Sequence, residues 1–216
     1  MSGHPSCARC GREVRAPGIW SNAWRCEVHG EVEPVAPVGL PTPARLVRDL
    51  KSGPLSDVPF WMPWPLPPGW LATGVTHAGD ERHAVRASFV SCAGPNPLGG
   101  PADLVIVAEE PGVGLGARWG GLDGPDPGTE LATQTGSHAK IHAAGHPTPL
   151  WCVHGAEDRA VYVGEALGRW LWLILWPSSA GVFVADDITL MDLRDVPCEL
   201  DIPLGPLLGS LGERTI

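Results

Sequence analysis

The chain has 216 residues, of which 44% are hydrophobic and 18% are charged, and its formal net charge at pH 7 is −9. This composition is typical of a globular protein with an ample core, large enough for one domain of about 180 residues beside a small module. Acidic side chains outnumber basic ones by twenty to eleven in residues 34–216, which disfavours nucleic-acid binding there. No run of eighteen apolar residues occurs, so no membrane span is predicted.

The N-terminal segment carries the strongest chemical signal. It contains Cys7-Ala-Arg-Cys10-Gly and, after fifteen intervening residues, Cys26-Glu-Val-His29-Gly. Two ligand pairs of this spacing allow three thiolates and one imidazole to converge on one ion, and the glycine after each pair permits a tight turn. The pattern predicts a zinc ribbon over residues 1–33. Cys7, Cys10, Cys26 and His29 fill the tetrahedral shell, so we expect structural Zn²⁺ and no catalysis at the metal.

The remaining cysteines indicate the compartment. Cys92, Cys152 and Cys198 are an odd number outside the zinc set, and thiolate metal sites need reduced cysteines. The chain begins without an apolar signal-peptide core. We therefore expect a cytoplasmic protein. Residues 1–30 are mildly basic, with four arginines against two glutamates, which leaves nucleic-acid contact by this segment alone as a disfavoured alternative.

Residues 34–59 are predicted to be a proline-rich linker. One short helix is expected within it, over Ala44–Lys51, with Thr42 as a possible N-cap and Pro43 at the first helical position. The six prolines that interrupt any longer element are Pro34, Pro37, Pro41, Pro43, Pro54 and Pro59.

Residues 60–216 form the body, which we predict to be a β-rich α+β domain with a mainly antiparallel sheet and few short helices. The segment 187–194 fits either a last strand or a short helix. The apolar run Trp170–Trp176 is expected to be a central strand covered on both faces. Strands are predicted at Leu71–His77, Ala84–Cys92, Asp103–Glu109, Ala139–Ala143, Leu150–His154, Arg159–Glu165, Trp170–Trp176 and Val182–Ala185.

A tryptophan- and proline-rich arm, residues 60–70, opens the body with the sequence FWMPWPLPPGW. Prolines hold such a segment extended, so that Trp61, Trp64 and Trp70 present large apolar faces. Two interpretations stay open at this stage. The favoured one is an arm that packs its own indoles into the core, and the other is a groove for a ligand or partner.

The glycine-rich loop, residues 109–128, is the first place to look for an active or ligand site. Its glycines and prolines prevent a long helix, so it fits neither a dinucleotide fingerprint nor a P-loop. The sequence predicts a long backbone-rich loop, and such loops are commonly functional or disordered. Its candidate catalytic residues are Glu109, Glu110, Arg118 and Asp123, and an acidic surface loop is the alternative.

Histidines and paired aspartates are weaker signals. His138, His142 and His146 recur at every fourth residue, which makes a second metal site conceivable. Gly145 and Pro147 interrupt any helix there, so solvated or hydrogen-bonded histidines are favoured. Asp186-Asp187 is a weak cation or acid/base candidate, because adjacent residues on a strand point to opposite faces.

Several stretches together resemble a family of uncharacterised actinobacterial proteins with an N-terminal zinc ribbon. They are CARCG, CEVHG, WMPWPLPPGW, VAEEPGVGLGARWGGLDGPDPG, AAGHPTPLW and WLWLILWP, and they extend over nearly the whole chain. The resemblance implies a cytoplasmic bacterial protein without an established activity, and it supplies no catalytic residue.

The sequence favours a non-enzymatic protein whose ribbon and body bind a protein partner in a regulatory role. Tryptophans of the arm would supply anchor residues for such an interface. The alternative is a small-molecule enzyme or sensor that uses the glycine-rich loop, with Glu109 or Glu110 as general base and Arg118 as anion clamp. Reaction, ligand, partner and oligomeric state do not follow from the sequence.

Overall fold

The computed structural model describes residues 4–19, 21–38, 42, 57–80, 84–129, 131, 134–195 and 202–206. The predicted linker helix Ala44–Lys51 lies outside the described residues. The helical elements are the short helix α1 (Leu115–Gly120) and a 3₁₀ helix (Ser178–Ala185). The strands are β1 (Ser6–Cys7), β2 (Arg25–Cys26), β3 (Gly30–Glu31), β4 (Pro34–Val35), β5 (Trp61–Pro63), β6 (Leu71–Asp80), β7 (Ala84–Pro95), β8 (Pro101–Glu109), β9 (Ala139–Ala143), β10 (His146–Val153), β11 (Ala160–Ala166), β12 (Arg169–Trp176) and β13 (Thr189–Asp192).

Within the described ranges, one sheet of eleven strands dominates the molecule. Its strand order is β1-β4-β6-β7-β8-β12-β11-β10-β9-β13-β5. Neighbouring strands are antiparallel throughout, except that β13 runs parallel to β9. Strands β2 and β3 form a separate antiparallel pair. The predicted β-rich class with a mainly antiparallel sheet and few short helices is thus confirmed.

Strand β12 explains why the sheet is buried on both faces. It lies between β8 and β11, and its side chains alternate between two hydrophobic cores. Leu171, Leu173 and Leu175 enter the larger core, whereas Trp172 and Ile174 enter the smaller one. Because every residue of β12 after Arg169 is apolar, both faces of the strand must be removed from water.

The larger core is enclosed because the sheet curls. Strand β5 is last in the strand order, yet it packs against β7 and β8 in the middle of the sheet. This closure places the arm in the interior: Trp61 is 1% exposed and Trp70 is 3% exposed, while Trp64 is partly buried against the same core. The arm therefore contributes its indoles to the fold.

The prediction of a strand at Val182–Ala185 is wrong, because these residues end the 3₁₀ helix Ser178–Ala185. Ala180, Phe183 and Val184 are the buried apolar residues of this segment, a spacing of three and four that suits a helix and not a strand. Phe183 packs on Trp70 with ring centroids 4.7 Å apart, so tertiary packing decides the conformation.

Two further segments refine the predictions. The glycine-rich loop contains α1, which the sequence analysis did not predict because Gly120 and Gly121 only rule out a long helix. The segment 187–194 forms strand β13, one of its two predicted alternatives. No helix among the described residues is long and apolar enough to cross a membrane.

Candidate metal centre and glycine-rich loop

The two predicted ligand pairs come together next to β1, the first strand in the order of the large sheet. We call Cys7–Cys10 the first knuckle and Cys26–His29 the second knuckle. The first follows β1 and the second begins in β2. The glycine after each pair has a positive φ, +75° at Gly11 and +69° at Gly30, which an L side chain rarely adopts. Each glycine thus lets the backbone turn around its ligands.

The ligand atoms lie at distances that suit one ion. Cys7 Sγ is 3.7 Å from His29 Nδ1, and Cys26 Sγ is 3.8 Å from the same nitrogen. Cys10 Sγ lies 3.7 Å from Cys26 Sγ, far beyond a disulfide bond, and the four ligand atoms are all within 4.8 Å of one another. Among the described residues this is the one group of three or more Cys, His, Asp and Glu residues arranged to hold a metal.

The thiols of this cluster differ in acidity before metal binds. Burial raises the pKa of Cys7 to about 12. Burial also acts to raise the pKa of Cys26, but the backbone N–H groups of Val28 and His29 outweigh it and lower that pKa to about 6. Since an ion is bound by thiolates, metal binding at neutral pH must release protons, and Cys26 ionises more readily than Cys7.

The first knuckle is seated on the glycine-rich loop. Ala8 is fully buried in the smaller core, and the Arg9 guanidinium donates a 2.7 Å hydrogen bond to the Gly112 carbonyl. From α1, Arg118 donates a 3.4 Å hydrogen bond to the Cys7 carbonyl. Burial lowers the pKa of Arg118, and the nearby Cys7 and Cys10 act in the opposite direction. The predicted anion clamp therefore faces the metal cluster.

Glu109 is a buried cap for α1. Its carboxylate accepts hydrogen bonds from the backbone N–H groups of Leu115, at 2.7 Å, and Gly116, at 3.2 Å. These are N–H groups of the first turn of α1, which have no partner inside the helix. Burial raises the pKa of Glu109 to about 8, against the opposing effect of these two hydrogen bonds. The residue is 0% exposed, so an outside substrate does not reach it in this structure.

Glu110 belongs to an ion-pair network that joins the ribbon to the body. Its carboxylate lies 2.9 Å from Arg86 Nε and 3.3 Å from Arg169 Nη2. Arg86 also pairs with Glu33 of the ribbon segment at 2.8 Å. The hydrogen bond to Glu110 is the largest cause of the raised pKa of Arg86. The other predicted general base is therefore already paired with two guanidinium groups.

The remaining candidates are dispersed. Asp123 is exposed after α1 and, within the described residues, makes no hydrogen bond or ion pair. His138 accepts a hydrogen bond from the Cys152 backbone N–H, and His142 lies 3.2 Å from a carboxylate oxygen of Asp187. The register pairs His146 with Ala143, a core residue, whereas His142 is on the other face of β9, so these histidines do not converge.

Arg9 and Arg86, which attach the ribbon to the body, were not identified from the sequence. Besides Arg9 and Arg86, the Trp24 indole N–H donates a 3.0 Å hydrogen bond to Asp80 of β6. A cleft of about 270 Å³ lies at this junction, lined in part by Arg9, Trp24 and Gly112. These contacts join residues 53 to 103 positions apart, so no local pattern in the sequence reveals which residues pair.

Comparisons with known proteins give one positive finding. A search of the curated proteins and a search of the solved structures found no match. A family model covers nearly the whole chain, but its description states no metal, organism or compartment, so those parts of the resemblance stay predictions. The match extends over residues 1–211, and the chain therefore belongs to DUF6758, a family of unknown function.

Proposed function

We propose that Cys7, Cys10, Cys26 and His29 bind one structural Zn²⁺. A tetrahedral ion with Zn–S bonds of 2.3 Å and a Zn–N bond near 2.05 Å requires S–S separations of about 3.8 Å and S–N separations of about 3.6 Å. The observed separations of 3.7, 3.7 and 3.8 Å support this arrangement. Four protein ligands leave no open position, so the ion would stabilise the fold and not activate water.

The zinc proposal is tested by metal content. Cys10→Ser removes one ligand, and Cys152→Ser is the matched control because Cys152 is an exposed cysteine outside the cluster. We expect one zinc per chain in the natural protein and in Cys152→Ser, and loss of zinc in Cys10→Ser, measured by mass spectrometry of the metal. An unchanged one-to-one zinc content in Cys10→Ser would contradict the ligand set.

The function that we propose is partner binding by the ribbon in the cytoplasm. The arm that was expected to supply anchors is buried, but the ribbon presents apolar side chains of its own. Ile19 is 94% exposed and Val28 is 56% exposed, and this exposure of Ile19 is the observation that carries the proposal. Ile19 lines a cleft of about 480 Å³ together with Arg15 and Arg25. An apolar anchor surrounded by charged groups is typical of protein interfaces.

Two features support partner binding by this surface of the ribbon in the cytoplasm. Zinc would fix the ribbon, and Arg9, Arg118 and the ion pair Arg86–Glu33 hold it against the body, so the surface around Ile19 is pre-organised. The cytoplasm suits the reduced state of the cluster, since the five described cysteines are all free thiols.

The partner proposal is tested by site-specific photo-crosslinking in the native cell. A photoreactive residue at position 19 is compared with the same residue at position 167, because Leu167 is also exposed, at 60%, but lies on the β11–β12 turn. We expect one discrete protein adduct at position 19 that disappears in the Cys10→Ser background, and none at position 167. Equal labelling at both positions would contradict the proposal, and a nuclease-sensitive adduct would favour nucleic acid.

One observation keeps the small-molecule alternative as a second candidate. The cleft of about 270 Å³ between the ribbon and Gly112 includes part of the glycine-rich loop, although it is slightly smaller than most ligand pockets. Of the candidate catalytic residues, Glu109, Glu110 and Arg118 have structural partners, so a sensor is better supported than an enzyme. A thermal-shift screen with nucleotides, sugar phosphates and acyl-CoAs tests it: a hit abolished by Arg9→Ala would favour the sensor, and silence would favour partner binding.

A further inference from the structure

A further groove, separate from the two clefts described above, lies at the far end of the glycine-rich loop. It has a volume of about 540 Å³ and is bounded by strands β10, β11 and β12. The inference drawn from it does not depend on the zinc site or on the proposed partner. The residues that matter in its lining are Trp151, Glu165, Trp170, Leu131, Pro149 and Gly128.

The strand register fixes how the polar and aromatic groups of the groove are arranged. Trp151 of β10 is paired with Val163 of β11, and Glu165, two residues further along β11, is paired with Trp170 of β12. Because side chains alternate, the two indoles and the carboxylate stand on one face of the sheet. Glu165 is the direct neighbour of Trp170, at about 5 Å between Cβ atoms, and the diagonal neighbour of Trp151, at about 7–8 Å.

Among the described residues, no cation of the protein contacts any of these three groups. Glu165 is exposed and makes no hydrogen bond or ion pair there. The described guanidinium–ring contacts use Trp119, Trp176 and Phe60. They do not involve Trp151 or Trp170, and both of these side chains are only partly buried. The groove offers a carboxylate and two π-faces to a positive group from outside.

We propose that this groove binds a quaternary ammonium group carried by a small molecule. An indole face attracts a cation through its quadrupole, and a carboxylate beside it adds Coulomb attraction. A primary ammonium group has three N–H donors that need acceptors, and Glu165 is the one charged side chain that lines the groove among the described residues. A quaternary ammonium group has no N–H donor, so burying it against two indoles leaves no donor of its own unpaired.

The test uses choline as the probe on the full-length, zinc-loaded protein. Its neutral isostere, 3,3-dimethylbutan-1-ol, has the same shape without the charge and is the matched control ligand. Binding is followed by NMR through the indole N–H signals, with those of Trp151 and Trp170 assigned by Trp151→Phe and Trp170→Phe. We expect choline to shift these two signals and to bind about tenfold more tightly than the isostere.

Two variants separate a cation site from a generic apolar groove. Glu165→Gln keeps the side-chain shape but removes its charge, and we expect choline binding to weaken at least about fivefold. Glu157→Gln, at another exposed and unpaired glutamate, should bind choline as the natural protein does. Equal binding of choline and the isostere, an unaffected Glu165→Gln variant, or shifts confined to other tryptophans would each overturn the proposal.

Discussion

Gly116 shows how a single glycine fixes the position of the glycine-rich loop. A Cβ at this position would lie only 2.3 Å from the Trp172 ring, so α1 approaches β12 more closely than any side chain allows. Gly116 does not have a positive φ, and alanine is the better helix former, so the backbone itself would accept the substitution. Steric overlap is then the one effect that opposes it.

We predict that Gly116→Ala lowers the free energy of unfolding by about 1–3 kcal/mol, the usual range for overpacking a well-packed interior. Urea denaturation followed by circular dichroism measures this loss. Gly136→Ala is the matched control, because nothing lies within 4 Å of its Cβ position and its φ is not positive. A stability of Gly116→Ala equal to that of Gly136→Ala would mean that α1 does not pack on Trp172 as described.

Glu109 gives a prediction of pH dependence. Burial raises its pKa to about 8 in the folded state from an ordinary value of 4.5. Between these values the folded chain holds a proton that the unfolded chain has released. The contribution of this group to the free energy of unfolding is therefore greatest below pH 4.5 and decreases as pH rises from 4.5 to about 8. Above pH 8 it no longer changes. The total decrease is on the order of a few kcal/mol.

Glu109→Gln should remove that slope, because an amide does not titrate and still offers an oxygen to the α1 backbone. We expect the variant to gain stability relative to the natural protein as pH rises from 5 to 8, measured by urea denaturation at each pH. The exposed Glu157→Gln serves as the control with an unchanged pH profile. Parallel profiles for Glu109→Gln and the natural protein would show that Glu109 is ionised in the fold.

At the scale of elements, α1 is the part of the body closest to the metal cluster. Arg118 is its contact: Nη1 bonds the Cys7 carbonyl, and Nη2 lies 2.5 Å from where a Cβ on Gly11 would be. In the proposed zinc site, three thiolates and Zn²⁺ would carry a net charge of −1, which the half-buried guanidinium next to them would offset. Helix α1 thus provides, through Arg118, a positive charge beside the cysteine ligands of the ribbon.

Arg118→Met should weaken zinc binding by about tenfold or more, the usual cost of losing a group that supports metal ligands from outside the coordination shell. A competition titration with a chelator of known affinity measures the change. Arg12→Met removes an equal charge from an exposed position of the ribbon and should leave the affinity within about twofold. If both variants bound zinc equally well, Arg118 would serve only to pack the loop.

The strands were predictable where one physical cause dominated. The wholly apolar run Trp170–Trp176 demands burial on both faces and is β12, and Ala139–Ala143 was predicted with the bounds of β9. The 3₁₀ helix was not predicted, because Val182–Ala185 is as short and apolar as the predicted strands, and the contacts that hold the helix, such as that of Phe183 with Trp70, are tertiary. The pairing of strands that are far apart in sequence, such as β8 with β12, could not be predicted either, because no local sequence pattern specifies it.

In the candidate site, too, the residues set by local spacing could be predicted from the sequence, and the contacts made by tertiary packing could not. The metal ligands follow from local spacing, so Cys7, Cys10, Cys26 and His29 could be named from sequence, and the structure brings their ligand atoms together. An active or ligand site in the glycine-rich loop stays a prediction. The structural partners of Glu109 and Arg118 could not be predicted, because they depend on tertiary contacts. Acidic and basic residues in a loop look alike whether they act on a substrate or support a neighbouring element.

At the scale of the whole molecule, the N-terminal segment and the body contribute to the same sheet and the same core. Strand β4 pairs with β6 through Val35 and Ala78, and β1 pairs with β4, so N-terminal strands extend the large sheet. Ala8 lies in the same core as residues of α1 and β12. The division into a ribbon over 1–33, a linker and a body over 60–216 stays a prediction, and these contacts indicate what a test of it should find.

Removing zinc should therefore loosen part of the body as well as the ribbon. We expect chelation to speed amide hydrogen exchange by about tenfold or more in α1 and in β6, in addition to residues 4–33, because loss of the first knuckle uncovers Ala8, Arg118 and the edge of the sheet. Exchange measured by mass spectrometry resolves these segments, and β10 is the internal control on the other side of β11. Restoring zinc should restore protection in all of them. If faster exchange stopped at residue 33, the ribbon would be an independent domain that merely rests on the sheet; if it reached α1, the metal would hold the glycine-rich loop in place from outside.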